Sequence, residues 1–252
     1  MAEPPQPKSP GLLDRLGSLA PQRSAVVWTL SDVVWGTLSS LVLMGSVVVA
    51  LVVLKLGLRV QIAESQASHW LGMVVAVAEA TLVVPVWAFA VRRRGAHWSD
   101  LGLRGFAALP GCLGSVGLFC LLFWTELLWG LALQALGWPG QPDLAPLFGQ
   151  GSIGLVLVAV TVGLIAPLAE EIFFRGFVFP VLRERWGLGL GIVLNAALFA
   201  LLHGTPTVFP PLFAMGVGFC LLYHYTGSLW PGVLLHASIN GFSLLAAIAL
   251  SR

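Results

Sequence analysis

Apolar runs separated by short polar stretches fill most of the chain, and their lengths set the first expectation. About 18 to 20 apolar residues cross a bilayer as one helix. Seven candidate spans follow, at 33–58, 70–91, 109–136, 153–182, 188–203, 208–225 and 229–250. The fourth is unusually long and the fifth is short. Pro210 and Pro211 place a break or cap at the start of the sixth. A transmembrane β-barrel would instead show alternating segments of about ten residues, and the pattern holds none. The expected fold is all-α: a polytopic membrane protein with about seven transmembrane helices around an intramembrane cavity. Residues 1–24 are rich in Pro and lack the n-region, h-region and cleavage site of a signal peptide. They are expected to form a disordered tail with a short surface helix over 12–19, leaving 25–252 as the transmembrane domain.

Composition strengthens this picture. The chain of 252 residues is 58% hydrophobic and 10% charged, with mean hydropathy +0.91. A soluble domain carries about 25% charged residues. A net charge of +2 gives no case for nucleic acid as a partner. Cys112, Cys120 and Cys220 lie in apolar segments without paired spacing, so they are expected as small buried packing residues. Basic residues set orientation. Arg92, Arg93, Arg94 and Arg104 place the loop between spans two and three in the cytoplasm, together with Lys8, Arg15, Arg23, Arg183 and Arg185. Lys55, Arg59 and Arg252 fall on the other side. The expectation is a multi-pass protein of the inner cell membrane with a cytoplasmic N-terminus and an external C-terminus. Trp28, Trp98 and Trp230 near span ends are expected as interfacial anchors. His69, His97 and His224, also at span ends, are expected to be solvated.

Ionisable groups inside a bilayer cost several kcal/mol each and mark function by default. The stretch LAEEIFFRG, 168–176, carries Glu170, Glu171 and Arg175 in the fourth span. Glu171 and Arg175 are spaced i, i+4 and can pair along one helix face. Glu170 lies about 100° around the helix, without that partner. A carboxyl group in a dry site near a second acid or a histidine suits general acid–base work. FALLHG ends span five with His203. LLHASINGF in span seven sets His236 and Asn240 at i, i+4 on one face. An imidazole and a carboxamide there can position a water or donate to an oxyanion. Each feature alone is compatible with interhelical hydrogen bonding. Together they place one polar cluster on each of three spans at comparable depth, so they can line one cavity. Glu79 and Glu126 belong to no such cluster and are assigned to polar packing or cavity lining.

Two chemistries fit the set. In one, Glu170 and His203 activate a water for attack on a peptide carbonyl, His236 and Asn240 stabilise the oxyanion, and Glu171 with Arg175 hold the base. In the other, Glu170, Glu171, His203 and His236 ligate a divalent metal such as Zn²⁺. No HExxH pair is present to support a metal from spacing. No serine or cysteine stands in a nucleophile motif; Ser238 points off the face of His236 and Asn240.

EEIFFRG (170–176), FALLH (199–203) and HASIN (236–240) resemble the EExxxR, FxxxH and HxxxN/D motifs of the CPBP family. This is the CAAX-protease and bacteriocin-processing group of intramembrane proteases, which includes the eukaryotic Ras-converting CAAX endopeptidase. WSDLGLR (98–104) and TGSLWPGVLLH (226–236) resemble further family stretches, so the likeness covers about 98–245. It implies an intramembrane endopeptidase acting on a membrane-associated or C-terminally tailed peptide or protein substrate. Carried over by motif, Glu170 is the general base assisted by His203, His236 and Asn240 form the oxyanion site, and Glu171 and Arg175 support them. The competing class is a non-proteolytic membrane protein, either a bacteriocin-immunity factor or a scaffold that regulates a partner.

Overall fold

The computed structural model describes residues 26–57, 64–140 and 145–250. The expected tail and its surface helix lie outside the described residues. The regular elements among the described residues are all helical. In chain order they are α1 (Leu30–Gly57), α2 (Glu64–Ala80), α3 (Val83–Val86), a π-helical π1 (Trp87–Arg92) and α4 (Ala108–Leu136). After a 3-10 turn at Ala145–Phe148 come α5 (Gly151–Val160), π2 (Thr161–Ile165), α6 (Ala166–Glu170), π3 (Glu171–Val178) and α7 (Phe179–Leu202). The 3-10 turn Pro206–Val208, α8 (Phe209–Thr226) and α9 (Trp230–Leu250) complete the chain.

Among the described residues six stretches are long and apolar enough to cross a bilayer: Leu30–Ala50, His69–Arg92, Ala108–Leu136, Gly151–Leu202, Pro206–Thr226 and Trp230–Ala249. The protein is a multi-pass α-helical membrane protein. The difference from the seven expected spans lies in the fourth stretch, which has 52 residues. A straight helix of that length would measure ~78 Å, against ~30 Å for a bilayer core. The chain resolves this at Gly187, whose φ of 79° and ψ of 172° leave helical space. Only glycine takes that conformation without a steric penalty. Beyond it the chain folds back on itself. A Cβ at Gly191 would sit 2.8 Å from the Arg183 Cα, although eight residues of straight helix would separate them by ~12 Å. The Asn195 amide donates to the Phe174 carbonyl at 2.9 Å across the same hairpin. Expected spans four and five are therefore two antiparallel arms of one helical stretch.

The fourth span was expected as one continuous helix, but it is wound in the wider π form at π2 and π3. Pro167 and Pro180 follow these segments. Neither can donate to the carbonyl four residues back, and each ring crowds that carbonyl, so the helix loosens before it. Carbonyls on both π segments take side-chain donors from elsewhere. Asn195 serves Phe174, the Trp28 indole serves Phe177 at 2.8 Å, and Asn240 serves Val162 at 2.9 Å.

Trp28 is thus not an interfacial anchor. It is 3% exposed and stacks on Phe177. Trp98 and Trp230 are exposed, as an anchor requires. His224 is buried rather than solvated and faces Arg183 Nη1 at 3.3 Å. Of the three cysteines only Cys220 is buried. Cys112 and Cys120 lie on the outer face of α4, where Leu109, Leu113, Val116 and Leu121 are also exposed and suited to lipid.

At the start of α1, Asp32 accepts from the Thr29 backbone and from Arg94 Nε at 2.8 Å, and pairs with Arg93 at 3.4 Å. This holds the start of α1 and the basic end of π1 on one side of the molecule. On the loop 98–104, the Gly102 carbonyl accepts from Leu229 N at 2.8 Å, and Arg104 Nε donates to Gly227 O. Ser228 Oγ returns a bond to Arg104 O. The two loops meet here and fix where α9 begins.

The hairpin makes a stability prediction. Gly191→Val forces a side chain into the Arg183 backbone and is expected to cost about 1–3 kcal/mol, while Gly189→Ala enters open space and is expected to leave stability unchanged or slightly raised. Thermal unfolding of the two variants in detergent checks the contrast.

Candidate active site

Arg175 sits at the centre of the polar cluster and is fully buried. Burying a guanidinium is costly unless its charge is answered and its faces are covered. The answering charge is Glu171, with Oε1 2.9 Å from Arg175 Nη1. The covering groups are Phe199 and Phe219, whose ring centroids lie 4.4 and 4.8 Å from the Arg175 Cζ. A planar, weakly hydrated cation suits such faces, and a lysine would not. The contact with Glu171 is ionic rather than a well-aligned hydrogen bond, since the angles leave the guanidinium nitrogens without an aligned acceptor.

Glu171 also meets α9. Its Oε1 lies 3.5 Å from His236 Nδ1. Gly232, one turn before His236, makes this approach possible, because a Cβ there would sit 3.0 Å from Glu171 Oε2. His236 stacks on Phe219 with centroids 5.0 Å apart. Phe199 reaches both histidines, edge-on to His203 at 4.7 Å and to His236 at 6.0 Å. The phenylalanine of the FALLH stretch is thus the shared wall of the cluster, touching Arg175 and both imidazoles.

His203 Nδ1 lies 2.8 Å from the Phe199 carbonyl. A carbonyl only accepts, so Nδ1 carries a proton and Nε2 remains available for exchange. Glu170 is buried, and its Oε2 has no hydrogen-bond partner among the described residues. His236, Glu79, Arg175 and Glu171 lie within electrostatic reach of it. Glu79 and Arg175 lie within reach of His203. Asn240, one turn beyond His236, spends one amide hydrogen on Val162 O and pins α9 to π2.

The structure therefore brings Glu171, Arg175 and His236 together around Phe199 and Phe219, with Glu170 buried and within electrostatic reach of them. His203 joins through Phe199, and Asn240 lies one helical turn deeper along α9. Several participants were not singled out in the sequence. Asn195, which holds π3 and accepts from the Cys220 thiol at 3.1 Å, is a polar residue in an apolar span and carried the same signal as Asn240. The aromatic walls Phe199 and Phe219 carried no signal beyond the first of them lying in a motif. Glu79, assigned to packing or cavity lining, lies within electrostatic reach of Glu170 and His203.

The metal alternative requires the four candidate ligands to converge. Among the described residues no group of three His, Cys, Asp or Glu side chains is placed to hold a metal ion. Glu171 is occupied by Arg175 and His236, and His203 Nδ1 by a backbone carbonyl. The donor set Glu170, Glu171, His203 and His236 does not fit a ligand sphere as it stands.

Residues 152–242, which hold all of these motif side chains, match the family described as "Type II CAAX prenyl endopeptidase Rce1-like". The likeness to the CPBP family is therefore shown for the segment 152–242. It is 32% identical over 118 residues to an Escherichia coli protein named "Uncharacterized 24.3 kDa protein", covering 44% of this chain and 54% of that one. It is 26% identical over 89 residues to "Putative membrane peptidase YdiL" of Bacillus subtilis (strain 168), covering 35% of this chain and 36% of that one. The chain spans about half, or less, of the length of these curated relatives. No solved structure matches it.

The buried pair predicts a non-additive mutant cycle. Arg175→Met strands Glu171 and is expected to cost about 3–5 kcal/mol. The double variant Arg175→Met with Glu171→Gln is expected to be more stable than the single one, and Arg175→Lys is not expected to restore the wild type. Denaturant titrations in mixed micelles measure the three differences.

Proposed function

We propose that this protein is an intramembrane endopeptidase that hydrolyses a peptide bond of a membrane-associated or C-terminally tailed substrate. The observation that carries the reading is the buried Glu170 carboxyl oxygen that no donor among the described residues claims, on the matched segment and next in the chain to Glu171, which meets His236. In the proposed reaction Glu170 takes a proton from a water as the water oxygen attacks the scissile carbonyl carbon. His236 donates to the oxyanion that forms, with the second amide hydrogen of Asn240 as the further donor. Collapse breaks the C–N bond, and the leaving amine takes its proton back from the acid–base groups, through His203 Nε2. Glu171 and Arg175 hold the charge of the site constant and keep π3 in place. No step runs through a metal, because the residues do not gather as ligands.

The same reading places the molecule in the cell membrane with the Arg92–Arg94 cluster, and hence the start of α1, on the cytoplasmic side. The family description supports a CAAX-type tail as the first substrate class to try.

Cleavage of a quenched-fluorescent peptide ending in a farnesylated CAAX sequence, and of its unprenylated counterpart, tests the reading in reconstituted membranes. New peptide termini in producing cells, compared by mass spectrometry, provide a substrate-independent arm. Glu170→Ala and His203→Ala are each expected to lower cleavage by about 10²-fold or more, with chelator leaving the wild type active. Unchanged processing in either variant sinks the mechanism and leaves a non-proteolytic role in its place.

A further inference from the structure

The second membrane-crossing stretch, His69–Arg92, ends in three consecutive arginines, Arg92, Arg93 and Arg94. One carboxylate answers two of them. Asp32, at the start of α1, accepts from Arg94 Nε at 2.8 Å and lies 3.4 Å from Arg93 Nη1. It also accepts from the Thr29 N–H and hydroxyl. Arg93 still leaves 58% of its side chain exposed. Arg92 is exposed and pairs with no carboxylate among the described residues. Asp100, the next acid along the chain, accepts from the His97 N–H at 2.8 Å and pairs with none of the three arginines. Positive charge is in excess at this end of the span.

The winding of π1 gives that excess a definite setting. Around an α-helix, residues five apart differ by about 140°. In π1 the hydrogen bonds reach five residues back, as from Arg93 N to Ala88 O. Positions five apart then share a face, and Arg92 Cζ lies 5.7 Å from the centre of the Trp87 ring. Trp87 is 45% exposed. An exposed indole beside an exposed guanidinium suits a side chain that reaches along apolar surface toward the headgroups. The chain leaves π1 through Gly95, at φ 71°, with Ala96 N bonded to Ala90 O six residues back. That bond is the mark of a Schellman stop. Trp98, also exposed, follows it. The arginines are thus flanked along the chain by two exposed indoles, at the point where the apolar span ends.

This chemistry selects its partner. Guanidinium groups bind phosphate oxygens through paired N–H donors, and exposed indoles call for an apolar neighbour. A phospholipid supplies both at one depth, whereas a soluble anion supplies only the first. We propose that Arg92 and Arg93, with Trp87 and Trp98, form a headgroup site for an anionic phospholipid, and that the site separates a net negative lipid from a zwitterionic one. On the orientation proposed above, the site meets the cytoplasmic leaflet, where anionic lipid gives a negative surface. The assignment is independent of the endopeptidase reading.

Full-length protein, delipidated in a neutral detergent, is titrated with phosphatidylglycerol, with phosphatidylcholine and with inorganic phosphate. Native mass spectrometry counts bound lipid, and thermal unfolding is followed in parallel. Phosphatidylglycerol is expected to bind about tenfold or more tighter than phosphatidylcholine and to raise the unfolding temperature. Inorganic phosphate at the same concentration is expected to do neither. The variant Arg92→Gln, which breaks no ion pair, is expected to weaken phosphatidylglycerol about fivefold, and Arg92→Gln with Arg93→Gln about tenfold or more. Arg92→Lys is expected to keep part of the affinity. Arg185→Gln removes the same charge from a second arginine over an indole, Trp186, next to Glu184, and is expected to stay within about twofold of wild type. Equal binding of the two lipids overturns the proposal, as does phosphatidylglycerol binding that survives Arg92→Gln. Stabilisation by inorganic phosphate alone overturns the lipid as occupant. A loss in Arg185→Gln as large as that in Arg92→Gln overturns a local site in favour of net charge. If the double variant does not fold, Arg92→Gln alone decides.

Discussion

The ion pair between Glu171 and Arg175 is the constraint on which the surrounding structure depends. Both residues are buried in a membrane helix, and a guanidinium there needs an anion and a covering of polarisable surface. Four separate elements contribute to that enclosure. π3 carries the pair, α7 brings Phe199, α8 brings Phe219, and α9 brings His236 and the open position at Gly232. None of these elements can shift without exposing charge to an apolar surrounding. The polar core therefore determines how the helices are assembled, where hydrophobic burial alone would give little direction between apolar helices in lipid.

A second constraint comes from the backbone. The helix that carries the motif is loosened into π turns before Pro167 and Pro180, and each loosened turn shows carbonyls to its neighbours. Trp28, Asn195 and Asn240 answer them from the start of α1, from the returning arm of α7, and from α9. π segments are common at functional sites because they re-aim side chains without ending a helix. Here π3 begins at Glu171, directly after Glu170, and so separates the two adjacent carboxylates. One points to Arg175 and His236, and the other is left unclaimed beside them. The docking of loop 98–104 on the turn 226–229 then fixes the height of His236 against Glu171.

Much of this was legible from residue types alone. Helical class, multi-pass character and the three polar clusters follow from run lengths and from the cost of charge in lipid. The Glu171–Arg175 pairing follows from i, i+4 spacing, which survives the change from α to π winding. Reading fails where a residue's partner is distant in the chain. Trp28 looked like an interfacial anchor because its role depends on a carbonyl 149 residues away. His224 looked solvated because Arg183 approaches only once the hairpin closes. Cys112 and Cys120 looked like core residues because apolar sequence does not say whether a helix face meets protein or lipid.

The sequence by itself determined the local chemistry: which helices form, where charge is unavoidable, and which side chains share a helix face. Those properties depend on neighbours within one or two turns. Only the tertiary structure decided which clusters meet. The reversal at Gly187 brings Phe199 back to Arg175, and the open position at Gly232 lets His236 reach Glu171 from a separate helix. Contacts between separate helices are set by packing and by charge compensation across the whole bundle, and neither is written in the spacing of any one segment.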